Sequence, residues 1–247
     1  MTEKILIASG KGGVGKSTAT SFLGKAIAES GKKVLLIDSD TGLGALDIML
    51  GVADKKINSW LDISDGNCDI KNALIKISEN LSLLPSPSHY PENIDEDVFV
   101  KITTALENDF DYIFIDASAG IDKNLKRAAK SCNRAVFVAT ADEISVKCAA
   151  AAASEAEKFG IPREDMRLII NRFIKKAAMK NRLLNVDGVI DKSGVRLLGI
   201  IPEDKKIPYS SVTSVLPDKK SSFCKAVKRI AARIDGADVP LKIKDLK

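Results

Sequence analysis

The chain has 247 residues, 45% of them hydrophobic but only 5% aromatic, with a formal net charge of +5. Its core must therefore be mainly aliphatic, and no apolar run approaches the ~18 residues that a membrane-spanning helix needs. Four widely separated cysteines, Cys68, Cys132, Cys148 and Cys224, form no C-x-x-C pair, which argues against structural disulfides and a zinc site and predicts a cytoplasmic protein.

From the N-terminus, the apolar run Ile5-Leu6-Ile7-Ala8 predicts a first strand, starting too early to leave room for a signal peptide. It runs into Gly10-Lys11-Gly12-Gly13-Val14-Gly15-Lys16-Ser17-Thr18, which fits the phosphate-loop pattern G-x-x-x-x-G-K-[ST] from Gly10 to Ser17. A helix is predicted over 17–30. A second strand over 34–37 ends in Asp38-Ser39-Asp40. Trp60, at the start of a helical stretch, is read as a packing anchor. A strand over 81–84 leads into a Pro/Ser stretch, 85–91, read as a surface loop with a solvent-facing His89. A helix over 98–107 precedes a strand over 112–115, which ends in Asp116. Helices over 122–132, 145–159, 176–185 and 222–234 alternate with strands over 135–139, 168–170 and 197–200. The run 149–153 is read only as helix-favouring. The alternation predicts an α/β fold: a doubly wound, mainly parallel sheet flanked by helices, in one domain over 1–247 with a short tail from about 240.

In such sheets ligands bind beyond the carboxyl ends of the strands, where the glycine loop and both acidic strand ends should meet. Gly10, Gly12, Gly13 and Gly15 let the backbone curl around a phosphate and turn its N–H groups inward. The next helix adds the positive end of its dipole. Lys16 can reach the β- and γ-phosphates, and the Ser17 hydroxyl can ligate magnesium. Asp116 has the form of a carboxylate that binds the metal directly or through water. Asp38 or Asp40 could orient an attacking water, with Asp38 also a candidate for the metal site. Taken singly, each aspartate could equally cap a helix or turn.

These residues together resemble the MinD/ParA family of P-loop ATPases. The loop with its extra lysine, Lys11, is similar to the family's deviant Walker A motif. Asp38-Ser39-Asp40-Thr41-Gly42-Leu43-Gly44-Ala45-Leu46-Asp47 resembles its first switch segment, and Asp116-Ala117-Ser118-Ala119-Gly120-Ile121 its second. Asn171-Arg172 and Ile201-Pro202-Glu203-Asp204 resemble the segments beside the adenine base, and the similarity covers roughly 1–241. The resemblance implies ATP and Mg²⁺ as cofactors, ATP hydrolysis, and a homodimer closed across two ATP molecules. Lys11 would then reach the phosphates held by the other copy, much as an arginine finger does. It also implies a spatial switch in division-site placement, with a regulatory protein partner.

Three features depart from the pattern. Ala117-Ser118 replaces a Ser-Pro pair after the metal-binding aspartate. Cys148-Ala149-Ala150-Ala151 stands where the family usually carries charges that help partner or dimer contacts. The last seven residues, 241–247, hold only three apolar side chains, so weak or absent autonomous membrane binding is expected, with at most transient residence at the inner face of the membrane.

Charge distribution keeps a second reading open. Residues 163–247 hold 20 Lys+Arg against 10 Asp+Glu, while residues 1–162 carry a net charge of −5. The basic third could face non-specific DNA, as in a ParA-like partitioning ATPase, or simply form solvated helix faces. A metal-cluster carrier would need paired cysteines, and a flagellar-number regulator an N-terminal extension. Both are therefore weaker readings.

Overall fold

The computed structural model describes residues 2–41, 44–55, 57–89, 93–207, 218 and 220–241. Along the chain these form β1 (Glu3–Ser9), α1 (Lys16–Ala28), β2 (Val34–Asp38), α2 (Leu46–Leu50), α3 (Trp60–Ser64), α4 (Ile70–Ala73), β3 (Ile75–Lys76) and β4 (Leu81–Leu84). Then come α5 (Val98–Leu106), β5 (Tyr112–Ala119), α6 (Lys123–Lys130), β6 (Arg134–Ala139), α7 (Glu143–Lys158), β7 (Met166–Phe173), α8 (Lys175–Met179), α9 (Val186–Ser193), β8 (Arg196–Pro202) and α10 (Ser222–Ile234).

The strands form one sheet in the order β3-β4-β2-β5-β1-β6-β7-β8. All neighbours run parallel except the short edge strand β3, which is antiparallel to β4. Helices cover both faces, so the central strands are apolar throughout rather than alternating, and all five residues of β2 are buried. The two-residue period still sorts side chains between the faces. Ile5 and Ile7 of β1 join a core with Leu23 and Ile27 of α1 and with Phe223 and Ile230 of α10. Leu6 and Ala8 join the other core, with Phe99 of α5, Leu125 of α6 and Ala149 of α7.

Strand order sets the site. β1 lies between β5 and β6, with β2 beyond β5, so the connections after β1 and β5 depart on different sides. The divergence opens a crevice at their carboxyl ends. β5 passes it with an irregularity: Ile7 pairs with Asp116, but Ser9 pairs with Ala119. An extra residue on β5 at this point re-aims the backbone just after Asp116.

Three local readings change. The strand predicted over 112–115 continues to Ala119. The helix predicted over 176–185 is replaced by α8 and α9. Between them Asn181 takes a left-handed conformation (φ 53°), Leu184 N–H donates to the Ala141 carbonyl, and Asn185 caps α9 through the Gly188 amide. The Pro/Ser stretch is a surface loop only in part. Pro85, Ser86 and Pro87 are buried and His89 is exposed, while 90–92 lie outside the described residues. The Pro85 carbonyl accepts from Trp60 N–H, which holds that stretch inward. No helix among the described residues is long and apolar enough to cross a membrane.

Candidate active site

The loop between β1 and α1 closes because two of its glycines are left-handed, Gly13 at φ 76° and Gly15 at φ 88°, a conformation other residues enter only at a cost. Gly15 caps α1, leaving the amides of the first helical turn facing the crevice. Gly10 is needed for a different reason: a Cβ there would lie 2.0 Å from the Cys148 carbonyl oxygen. The loop is thus seated directly on the first turns of α7. Val14 is buried beneath it, and its carbonyl accepts from the Asn171 side-chain amide at 2.8 Å.

The charged centre is compact. Lys16 and Asp116 are both buried, with Nζ 2.8 Å from Oδ2. Ser17 Oγ donates to the same oxygen at 2.6 Å, and Thr20 Oγ1 donates to Oδ1, also at 2.6 Å. Lys16 Nζ reaches Ser17 Oγ at 3.1 Å. Thr20 escaped sequence reading, although it stands one helical turn after Lys16 on the face that meets β5. One buried carboxylate, one hydroxyl and one lysine ammonium suit a magnesium–phosphate group. Magnesium usually keeps several waters and takes only one or two protein carboxylates, the rest of its shell coming from phosphate.

Asp38 stands directly opposite Asp116 in the β2–β5 register. It was expected as a metal ligand and catalytic carboxylate, but both its oxygens are occupied by backbone amides. Oδ2 accepts from Ala45 and Leu46, and Oδ1 accepts from Asp40. Burial, followed by the nearby charge of Asp116, pushes its carboxyl up to about 7. In this arrangement Asp38 shapes the segment that follows β2. Asp40 is half-buried, and its carboxylate makes no hydrogen bond among the described residues. Burial raises its affinity for a proton. Its geometry leaves it free to orient a water. Ser39 is also fully buried, donating from Oγ to the Asp116 carbonyl at 2.9 Å. The Thr41 hydroxyl accepts from Asn124 of α6, a polar link between the two acidic strand ends. Gly42 and Leu43 lie outside the described residues.

Beside the loop lies a cavity of about 340 Å³. Thr18, Asn171, Arg172, Pro202, Glu203 and Asp204 line it as expected, joined by Met49, Ile207 and Phe223, which sequence reading missed. Apolar walls with a polar rim suit a planar base and its sugar. Arg172 is held at φ 51°, left-handed and sparsely populated for a residue with a Cβ. One residue takes a second role here, and one expectation changes. Asn171 spends its amide bracing the loop, and a Cβ on Gly15 would lie 2.3 Å from that amide nitrogen. Ile201 is buried in the core with α10 and is not part of the cavity wall. Gly12 is exposed at the outer lip, and Lys11 beside it is half-buried, with its Nζ 3.2 Å from Oδ1 of Asp142.

The family model described as the CobQ/CobB/MinD/ParA nucleotide binding domain matches residues 5–215. The chain belongs to the MinD/ParA family of ATPases. It is 36% identical to the septum site-determining protein MinD of Synechocystis sp., across 97% of this chain and 92% of that one. It is 33% identical to the MinD of Bacillus subtilis, across 98% and 92%. Among solved structures, it superposes on the MinC:MinD cell division protein complex of Aquifex aeolicus with a TM-score of 0.89 and 32% identity, covering 98% of each chain. For the Pyrococcus horikoshii MinD complexed with Mg-ADP the TM-score is 0.84 at 27% identity, covering 97% of this chain and all of that one.

Two departures from the MinD/ParA pattern have structural roles in this chain. Ser118, at the former Ser-Pro position, donates to Asp122, the residue that caps α6 through the Leu125 amide. Of the alanines that follow Cys148 in that segment, Ala149 joins Ala152, Ala153 and Ala156 on the fully buried packing face of α7, while Ala150 is half-buried and Ala151 exposed. Small side chains there let α7 approach the sheet and the loop closely enough to meet Gly10.

Proposed function

We propose that this chain is a MinD-like ATPase that acts as a spatial switch in placing the division septum. Two copies close face to face across two ATP molecules, and hydrolysis parts them. The septum-site function of the relatives supports the cellular setting. The observation that carries the chemistry is the buried Lys16–Ser17–Asp116 contact under a loop with two left-handed glycines.

Phosphoryl transfer depends mostly on positioning and charge neutralisation. Ser17 and Asp116 would hold magnesium, which supplies charge neutralisation on the phosphates. Lys16, released from Asp116, would grip the β- and γ-phosphates. Asp40 would orient the attacking water, and Asp38 would hold the amides of Asp40, Ala45 and Leu46 in place. The partner's Lys11 would add the last positive charge, making hydrolysis depend on pairing. A regulatory protein partner fits this reading, as does a cytoplasmic protein that visits the inner face of the membrane transiently. The tail expected to bind lipid weakly, 242–247, lies outside the described residues. The net charge of +10 over residues 163–247 favours an anionic surface, so DNA is retained as a second destination for the dimer.

Calorimetry with Mg-ATP should show binding by the wild type and none by Lys16→Ala. Retention of full affinity by that variant would overturn the site. Sedimentation with ADP and with ATP should show pairing only with ATP, lost in Lys11→Ala. Repeating it with anionic liposomes and with random duplex DNA distinguishes the two destinations.

A further inference from the structure

A buried polar relay runs behind the acidic strand ends. Asn124 and Arg127 stand one turn apart on α6, and both are buried. Arg127 donates from Nη1 to Asn124 Oδ1 at 3.1 Å, and from Nη2 to Glu96 Oε1 at 2.9 Å and the Ile94 carbonyl at 3.4 Å. A guanidinium has only donors, so the Asn124 amide must turn its oxygen towards Arg127 and its Nδ2 away from it. That nitrogen donates to Thr41 Oγ1 at 3.4 Å. Thr41 is buried and directly follows Asp40. The relay is anchored at both ends of α6. Asp122 caps its first turn through the Leu125 amide and accepts from Ser118 of β5. Near its other end, Lys130 pairs with Asp97 in the loop before α5.

Stability alone does not account for this arrangement. Arg127 Nε is buried without a hydrogen-bond partner among the described residues. A buried charged group met incompletely costs free energy that well-packed apolar side chains would not. The backbone of Asp40 gains from it instead. Asp38 accepts from the Asp40 amide on one side, and the relay holds Thr41 on the other. We infer that Asn124 and Arg127 are positioning residues that fix Thr41 and, through it, set the Asp40 carboxylate where it can orient water. This rests on the role proposed for Asp40. Neither residue lines the cavity beside the loop, so losing the relay should slow the chemical step without weakening nucleotide binding.

The test uses Thr41→Val, which removes the acceptor at nearly constant shape. Asn124→Leu combined with Arg127→Met replaces the rest of the relay by apolar side chains, in case the first variant folds poorly. In steady-state hydrolysis of Mg-ATP, each should lower kcat about tenfold, the worth of one hydrogen bond. KM and the midpoint of ATP-driven pairing in sedimentation should stay as in wild type. Joining all three substitutions should lower kcat no further, because the residues act as one unit. Wild-type kcat in folded variants would overturn the inference, and so would parallel losses of kcat, affinity and pairing. Asp40→Asn separates this outcome from the wider reading. If Asp40→Asn abolishes hydrolysis while the relay variants turn over like wild type, the inference falls and the proposed function stands. If Asp40→Asn hydrolyses like wild type, Asp40 does not orient the water, and the inference falls with that role.

Discussion

At the scale of single residues, the glycines of the phosphate loop serve two separate constraints. Gly13 and Gly15 are required by φ, and Gly10 by proximity to α7. Gly10→Ala must push α7 or the loop aside, because the obstacle is backbone rather than a flexible side chain. We expect a loss of about 1–3 kcal/mol in a denaturant melt, together with weaker nucleotide binding. A melt like wild type would mean that the contact relaxes freely. Asp38 offers a pH signature. Its carboxyl lies near 7 in the fold against an ordinary value of 3.8. Between those values the folded chain keeps a proton that the unfolded chain has released. The contribution of this group is complete below about pH 4 and lost as the pH rises through about 7. Nucleotide-free wild type should therefore lose stability over this range more steeply than Asp38→Asn, as read by denaturant midpoints at each pH. Parallel profiles would show that Asp38 is not the group responsible.

At the scale of elements, the end of β2 is anchored by a residue 22 positions further along the chain. Trp60 begins α3, is fully buried, and stacks edge-on against Phe99 of α5 at 5.2 Å. Its Nε1–H donates to the Asp38 carbonyl at 2.9 Å. The packing anchor expected from sequence is thus also a tie to the strand end that carries the acidic pair. Trp60→Phe keeps much of the packing but strands that carbonyl, costing about 1–3 kcal/mol. The measurable result should be lower thermal stability with a weakened response to ATP, whereas a purely structural anchor would lower stability alone. Helices α2 and α4, of five and four residues, were not visible in the sequence, and α3 only as a helical stretch starting at Trp60 with no end to it. Such short elements span barely one helical turn, so they show no periodicity to detect. Capping contacts and the packing of neighbouring elements decide them instead, as Asp62 does by accepting from the Ser59 amide and hydroxyl.

At the scale of the whole molecule, nucleotide should act as a ligand that binds only the folded state. At about 100 times the dissociation constant, Mg-ATP would add ~2.7 kcal/mol, or roughly 5–10 °C in melting temperature for a domain of this size. If two copies close over the nucleotide, that shift should also grow with protein concentration. Lys11→Ala should keep the shift but lose its dependence on concentration, and Lys16→Ala should lose both. Differential scanning fluorimetry across a dilution series reads all three. A concentration-independent shift in the wild type would count against pairing.

The amino-acid sequence by itself determined the alternation of strand and helix, the parallel sheet, the phosphate loop and the carboxylates at the strand ends. Each rests on local information: periodicity, apolar runs, and glycines at fixed offsets from Lys16 and Ser17. Only the tertiary structure decided which partners those residues take. Register placed Asp38 opposite Asp116. Strand order brought Asn171 of β7 to the loop's carbonyl, and helix packing brought Phe223 and Met49 to the cavity wall and Asp142 to Lys11. These contacts join residues more than thirty, and up to about two hundred, positions apart. No local pattern encodes them, because they exist only once the sheet has fixed the strand order and the helices have closed over it.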